Sequence, residues 1–112
     1  MIKTSSARTE FSTGSVRDSQ DGKPRYSLIP PKPLERVAMH FTDGADKYGD
    51  FNWHLGQPSS RVIDSLMRHV EKYRAGLKDE DHLAAIVVNA MFLMEFEGTE
   101  LDDKYNWSKD ND

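Results

Sequence analysis

Cysteine is absent from the sequence, which excludes disulfides and thiolate metal centres. No apolar run reaches the roughly 18 residues of a membrane span. The opening stretch "MIKTSSARTEFSTGS" lacks the hydrophobic segment of a signal peptide. A soluble, cytoplasmic chain with no membrane partner is therefore the expectation. A basic surplus is also missing, since the formal net charge is −4. Duplex nucleic acid calls for a cationic surface, so no nucleic-acid polymer is expected as a partner. A small anion held by local cations or a metal ion stays open. The strings GxxxxGK[ST], CxxC, HExxH and GxSxG do not occur. "TDGADKYGD" spaces its acids somewhat like a calcium loop but lacks the closing bidentate glutamate.

What is present fits one domain with a modest core: 112 residues, 37% hydrophobic and 30% charged. Residues 1–22 are polar and read as a flexible arm. A helical domain over 23–98 and an acidic tail over 99–112, with Trp107 as a docking candidate, complete the expected organisation. In "GKPRYSLIPPKPLER" the prolines enforce an extended approach, and Pro33 suits a first helical turn. A first helix is expected from Pro33 to about Tyr48, on the stripe Leu34, Val37, Ala38 and Phe41. Gly44 weakens its middle. Pro58 and the Ser59–Ser60 pair announce a second helix, Ser60 to Ala75, with a serine as N-cap. Ile63, Leu66, Met67, Val70 and Tyr73 form its expected apolar side, and Gly76 ends it. A third helix starts near Asp79 and stops before Gly98, with an apolar face wider than a surface helix needs. No strand is evident. The fold class is thus all-α: a small bundle of three main helices with a thin core, completed by dimerisation or higher assembly.

Two polar stripes interrupt this pattern. Asp64, Arg68 and Glu71 are spaced i, i+4, i+7 on the second helix. They read either as a solvent-edge ion-pair ladder, at about 0.2–0.5 kcal/mol per pair, or as carboxylates able to hold a divalent cation. Spacing alone favours the ladder. On the third helix Asp79, His82 and Asn89 share one side. Singly they read as a cap, a core histidine and a cross-bundle amide. Jointly they need polar partners, because a buried unpaired amide costs about 1–3 kcal/mol. Asp64, Arg68 and Glu71 are the expected partners, since a short connection makes the two helices antiparallel neighbours. His69 lies off the Asp64 stripe, with structural and functional use equally open. Lys23, Arg25 and Tyr26 precede the proline run, and Lys47, Tyr48, Asn52 and Trp53 follow the first helix. Cations of this kind can meet phosphates and such rings can stack on a base, but each is also an ordinary surface group.

The strings "TGSVRDSQDGKPRYSLIPP", "LERVAMHFTDGADKYGDFNW" and "SRVIDSLMRHVEKYRAGLKDEDHLAAIVVNAMFLMEF" resemble the phage-type dATP/dGTP diphosphohydrolases. These are relatives of the all-α MazG-like nucleoside triphosphate pyrophosphohydrolases. The resemblance runs from Thr13 to Phe96. It implies cleavage of a purine deoxynucleoside triphosphate (dGTP or dATP) to its monophosphate and pyrophosphate, in a homo-oligomer (dimer or tetramer) within the host cytoplasm. Under it, Mg²⁺ or Mn²⁺ would be held by Asp64, Glu71, Asp79 and Asp81. Glu71 or His82 would orient the attacking water, and Arg68 would stabilise phosphate charge. Lys23, Arg25, Lys47, Tyr48, Asn52, Trp53, His69 and Asn89 would contact the nucleotide. MazG-like enzymes usually show ExxE on one helix and ExxD on another, and neither stands in the corresponding place here. The alternative is a catalytically inactive phage protein that binds a nucleotide or a host protein with the same bundle.

Overall fold

The computed structural model describes residues 8–103, so Trp107 lies outside the described residues. The chain divides after Pro30 into two compact units. The first carries an antiparallel hairpin, β1 (Arg8–Glu10) and β2 (Val16–Asp18), in the register Arg8↔Asp18 and Glu10↔Val16. Its turn is closed by Phe11 N donating to Ser15 O at 2.9 Å. The expectation of no strand is corrected here. Both strands are three residues long and exposed throughout, so no buried face imposes the alternation by which strands are recognised. A 3-10 turn follows at Tyr26–Leu28.

The second unit is the helical domain: α1 (Pro31–Tyr48), a 3-10 turn (Asn52–Leu55), α2 (Ser59–Arg74) and α3 (His82–Phe96). α3 packs chiefly on α2 and secondarily on α1. Val37 of α1, Val62 of α2, and Ala84, Ala85 and Val88 of α3 form the buried apolar core. Alanine at two of these positions lets the helices approach closely, and it also makes the core thin. Leu83, Val87, Met91 and Met94 are exposed along one side of α3, an apolar stripe left open in the single chain.

Three helix boundaries differ from the sequence reading for local reasons. α1 begins two residues early, at Pro31, and continues unbroken through Gly44. α2 takes Pro58 as its N-cap, with no capping side chain of its own. The missing acceptor comes from the C-terminal segment: Asp103 Oδ1 accepts from Ser60 N at 2.7 Å and from Ser59 Oγ at 2.9 Å, and Oδ2 accepts from Ser60 Oγ at 2.7 Å. A carboxylate at a helix N-terminus also meets the positive end of its dipole. Sequence-local rules cannot see a cap delivered from 43 residues away.

α3 begins at His82 because Asp81, not Asp79, is its N-cap, accepting from Ala84 N at 3.1 Å. The same carboxylate is clamped by Arg36 of α1, through Nε at 2.9 Å and Nη2 at 2.6 Å. This bidentate pair holds the Asp81 carboxyl down at about 2. Its stabilising contribution is complete above the ordinary aspartate range, near pH 4, and is lost as pH falls from there through about 2. We expect Asp81→Ala to lower stability by about 1–2 kcal/mol at pH 7. Asp81→Asn keeps a capping oxygen and should lose less. Chemical denaturation of wild type and Asp81→Asn should show their gap closing between pH 4 and pH 2, whereas a constant gap would contradict the pairing.

Candidate functional site

The pattern of burial on α2 decides which side chains meet α3. Ser59 and Val62 are buried, and Ile63, Ser65, Leu66, His69 and Val70 are half-buried. At roughly 100° per residue, Asp64, Arg68 and Glu71 fall about half a turn away from Val62, Leu66 and His69. All three are exposed. The expected meeting of these residues with His82 and Asn89 is therefore corrected. Counting Met67 (58% exposed) in the apolar stripe rotated the inferred face toward Asp64. Glu71 instead pairs with Arg74 at 3.4 Å on the surface.

The polar stripe of α3 does face inward, with different partners. His82 is 2% exposed and Asn89 9%. His82 Nε2 lies 2.7 Å from Asp79 Oδ1, and His82 Nδ1 lies 2.9 Å from His69 Nδ1. Asn89 donates to Ala85 O at 2.9 Å and, over a longer 3.4 Å, to Ser65 Oγ. The order of contacts, His69 to His82 and Ser65 to Asn89, runs antiparallel as expected from the short α2–α3 connection. The Asp79 carboxylate can only accept, so His82 donates Nε2–H to it, and one proton is shared between the two facing Nδ1 atoms. This hydrogen bond holds the Asp79 carboxyl below its ordinary range. Partial burial lowers the pKa of His69, against an opposing pull from Glu80 at 3.9 Å. His69 is thus a neutral imidazole at pH 7.

His69 and Asn89 open onto a cleft of about 250 Å³ enclosed by α1, the 3-10 turn, α2 and α3. Tyr48, Phe51, Trp53, Phe41 and Phe92 supply aromatic walls. Phe41 and Phe92 meet edge to face at 5.9 Å, joining α1 to α3. On α1 the residues facing the cleft, His40, Gly44, Ala45 and Tyr48, recur at helical spacing. The small pair in the middle leaves the opening, and a Cβ at Gly44 would meet nothing within 4 Å. Gly44, which sequence rules mark as a weak point, is therefore part of the wall. Phe51 sits at φ 59, an uncommon conformation for a bulky residue. Tyr48 and Phe51 are 70% and 72% exposed, an unusual amount of bare ring beside an opening.

Of the expected nucleotide contacts, Tyr48, Asn52, Trp53, His69 and Asn89 line this cleft, while Lys47 is exposed in the last turn of α1 and outside the lining. Lys23 and Arg25 belong to the first unit and are exposed. The four carboxylates expected to hold a metal do not come together within the chain. Asp64 and Glu71 lie on the outer face of α2, Asp81 is taken by Arg36 and the α3 cap, and only Asp79 joins the imidazoles. The group that does converge among the described residues is His69, Glu80 and His82. Sequence reading missed Glu80, His40, Phe41, Phe51 and Phe92. The i, i+4 recurrence of His40, Gly44 and Tyr48 was the available signal.

Residues 13–104 match the family described as dATP/dGTP diphosphohydrolase, N-terminal. Among curated proteins, a dATP/dGTP diphosphohydrolase of Salmonella phage PMBT28 is 39% identical over 61 residues, covering 54% of this chain and 20% of that protein. The chain thus spans about a fifth of the length of this curated relative. No solved structure matches.

Proposed function

Because the chain belongs to the dATP/dGTP diphosphohydrolase N-terminal family, we propose that it cleaves a purine deoxynucleoside triphosphate to the monophosphate and pyrophosphate. The observation that carries this reading is the aromatic cleft bordered by the neutral imidazole of His69. Trp53 or Tyr48 stacks on the purine, an interaction worth about 1–3 kcal/mol. Asn52 and Asn89 offer amide groups to the base edge. The cleft is slightly smaller than the roughly 300–1,000 Å³ of a drug-sized site. It therefore takes the base, and the triphosphate runs out past His69 to the mouth of the cleft, where Lys47 is the cation adjacent in sequence to Tyr48.

The roles of the histidines follow from their exposure. His82 is enclosed between Asp79 and His69 and meets no substrate; it is a positioning residue. His69 is the member that faces the cleft and can accept or pass a proton there. The Mg²⁺ implied by resemblance demands near-octahedral oxygen ligation. The donors that converge here are two imidazoles and one carboxylate, which do not fit that ion.

The dispersal of Asp64, Glu71 and Asp81 favours a second reading, a nucleotide binder without turnover. One assay separates the two: incubate the protein with dGTP or dATP and a divalent cation, then resolve the products by anion exchange. Equal amounts of monophosphate and pyrophosphate are expected. Orthophosphate release would contradict the reaction, and binding without products would establish the binder.

A further inference from the structure

We propose that His69, His82 and Glu80 form a mononuclear site for a first-row transition-metal dication, bound through Nδ1 of each imidazole and one Glu80 oxygen. In its functional meaning this rests on the hydrolase reading, since it names the cation beside that cleft. The binding itself is separable from turnover.

The donor atoms lie within 4.8 Å of one another. The two Nδ1 atoms are 2.9 Å apart. Placed about 2.0–2.1 Å from a common ion, they subtend roughly 90° there, the angle between adjacent ligands of an octahedral or five-coordinate centre. Glu80 Oε1 is 3.9 Å from His69 Nδ1, and Glu80 is exposed, so a change of rotamer closes the remaining gap. His82 is rigidly placed by burial. Its second nitrogen is held by Asp79 at 2.7 Å, the carboxylate–histidine–metal arrangement that orients a ligating ring and raises its basicity. Ligation displaces the proton shared by the two Nδ1 atoms, which moves to His69 Nε2 or to solvent and leaves both lone pairs facing the ion.

Two histidines and one carboxylate leave coordination positions for water or a phosphate oxygen, and imidazole donors select transition dications over Mg²⁺. The ligands come from α2 and from the start of α3. An ion therefore ties the two helices together, and saturation should raise Tm by roughly 10 °C.

The test is calorimetric titration of the full chain, without nucleotide, with Zn²⁺, Co²⁺, Mn²⁺ and Mg²⁺, alongside visible absorption of the Co²⁺ complex. One ion per chain is expected, in the order Zn²⁺ > Co²⁺ > Mn²⁺, with no Mg²⁺ uptake. Glu80→Gln, at an exposed site that spares folding, should weaken binding at least about tenfold, and Asp79→Asn about 10–100-fold. His69→Ala should abolish it. The proposal is overturned if the folded wild type takes up no transition ion. It also falls if His69→Ala binds as well as wild type, or if Mg²⁺ binds tightest and is lost in Asp64→Asn. Metal uptake without pyrophosphate release would overturn the hydrolase reading and leave this site standing. Pyrophosphate release without transition-metal uptake would do the reverse.

Discussion

His69→Ala lowers turnover of dGTP at saturating substrate by at least about 100-fold, the scale of losing a positioned acid–base group. The expectation follows from where the side chain sits. It lines the cleft with Trp53 and Asn89, is kept neutral by partial burial, and is backed by His82 at 2.9 Å and, through it, by Asp79. Removing the ring takes away the one member of that chain able to touch substrate. Its side chain is only 16% exposed and partners the buried His82, so a thermal melt of the variant accompanies the assay and turnover is read on folded protein. His82→Gln and Asp79→Asn act one and two steps back. They should lower kcat while leaving KM nearly unchanged, with Asp79→Asn the milder. A His69→Ala protein that is folded and retains wild-type turnover would remove the imidazole pair from the mechanism.

The largest effect on stability is expected at Gly56. It lies at φ 80, ψ 158, a region essentially reserved for glycine, where another residue costs about 1–3 kcal/mol. Space is short as well: a Cβ there would collide with Leu101 Cδ1 and lie 3.2 Å from Phe96 Cε1. Both atoms are the far ends of side chains that can swing aside, so the backbone conformation carries most of the cost. Gly56→Ala should therefore cost roughly 2 kcal/mol, a fall in Tm on the order of 10 °C. Gly76 is the internal control, because it has nearly the same φ, 79, with nothing within 4 Å of its Cβ position. Gly76→Ala should cost only about 1 kcal/mol. Equal losses would show that neither the extended ψ of Gly56 nor the crowding by Leu101 adds to the cost of a positive φ. Because that turn carries Trp53, Gly56→Ala should also weaken nucleotide binding, whereas Gly76→Ala should not.

The three helices were legible because each combines an apolar stripe with a terminator, such as Gly76 after α2. The inward stripe of His82 and Asn89 was legible too, since polar groups on an apolar helix must be satisfied. Their partners were not. Met67 has the hydrophobicity of a core residue but sits outside, and counting it inside turned α2 by enough to bring Asp64 and Glu71 into view and to push His69 aside. Asp81 illustrates a second limit: carboxylates at positions 79, 80 and 81 look alike in sequence. In the fold one backs His82, one stands beside His69, and one caps α3 under Arg36. The docking of Asp103 on α2 depends on contact between distant segments, which local patterns do not encode.

The most direct test is to locate a bound non-hydrolysable dGTP analogue on the chain by crystallography. The account predicts a base held between the Tyr48–Trp53 side and Asn89, with the phosphates reaching the His69 imidazole. A nucleotide bound on the outer face of α2, against Asp64 and Glu71 with the aromatic cleft untouched, would contradict it.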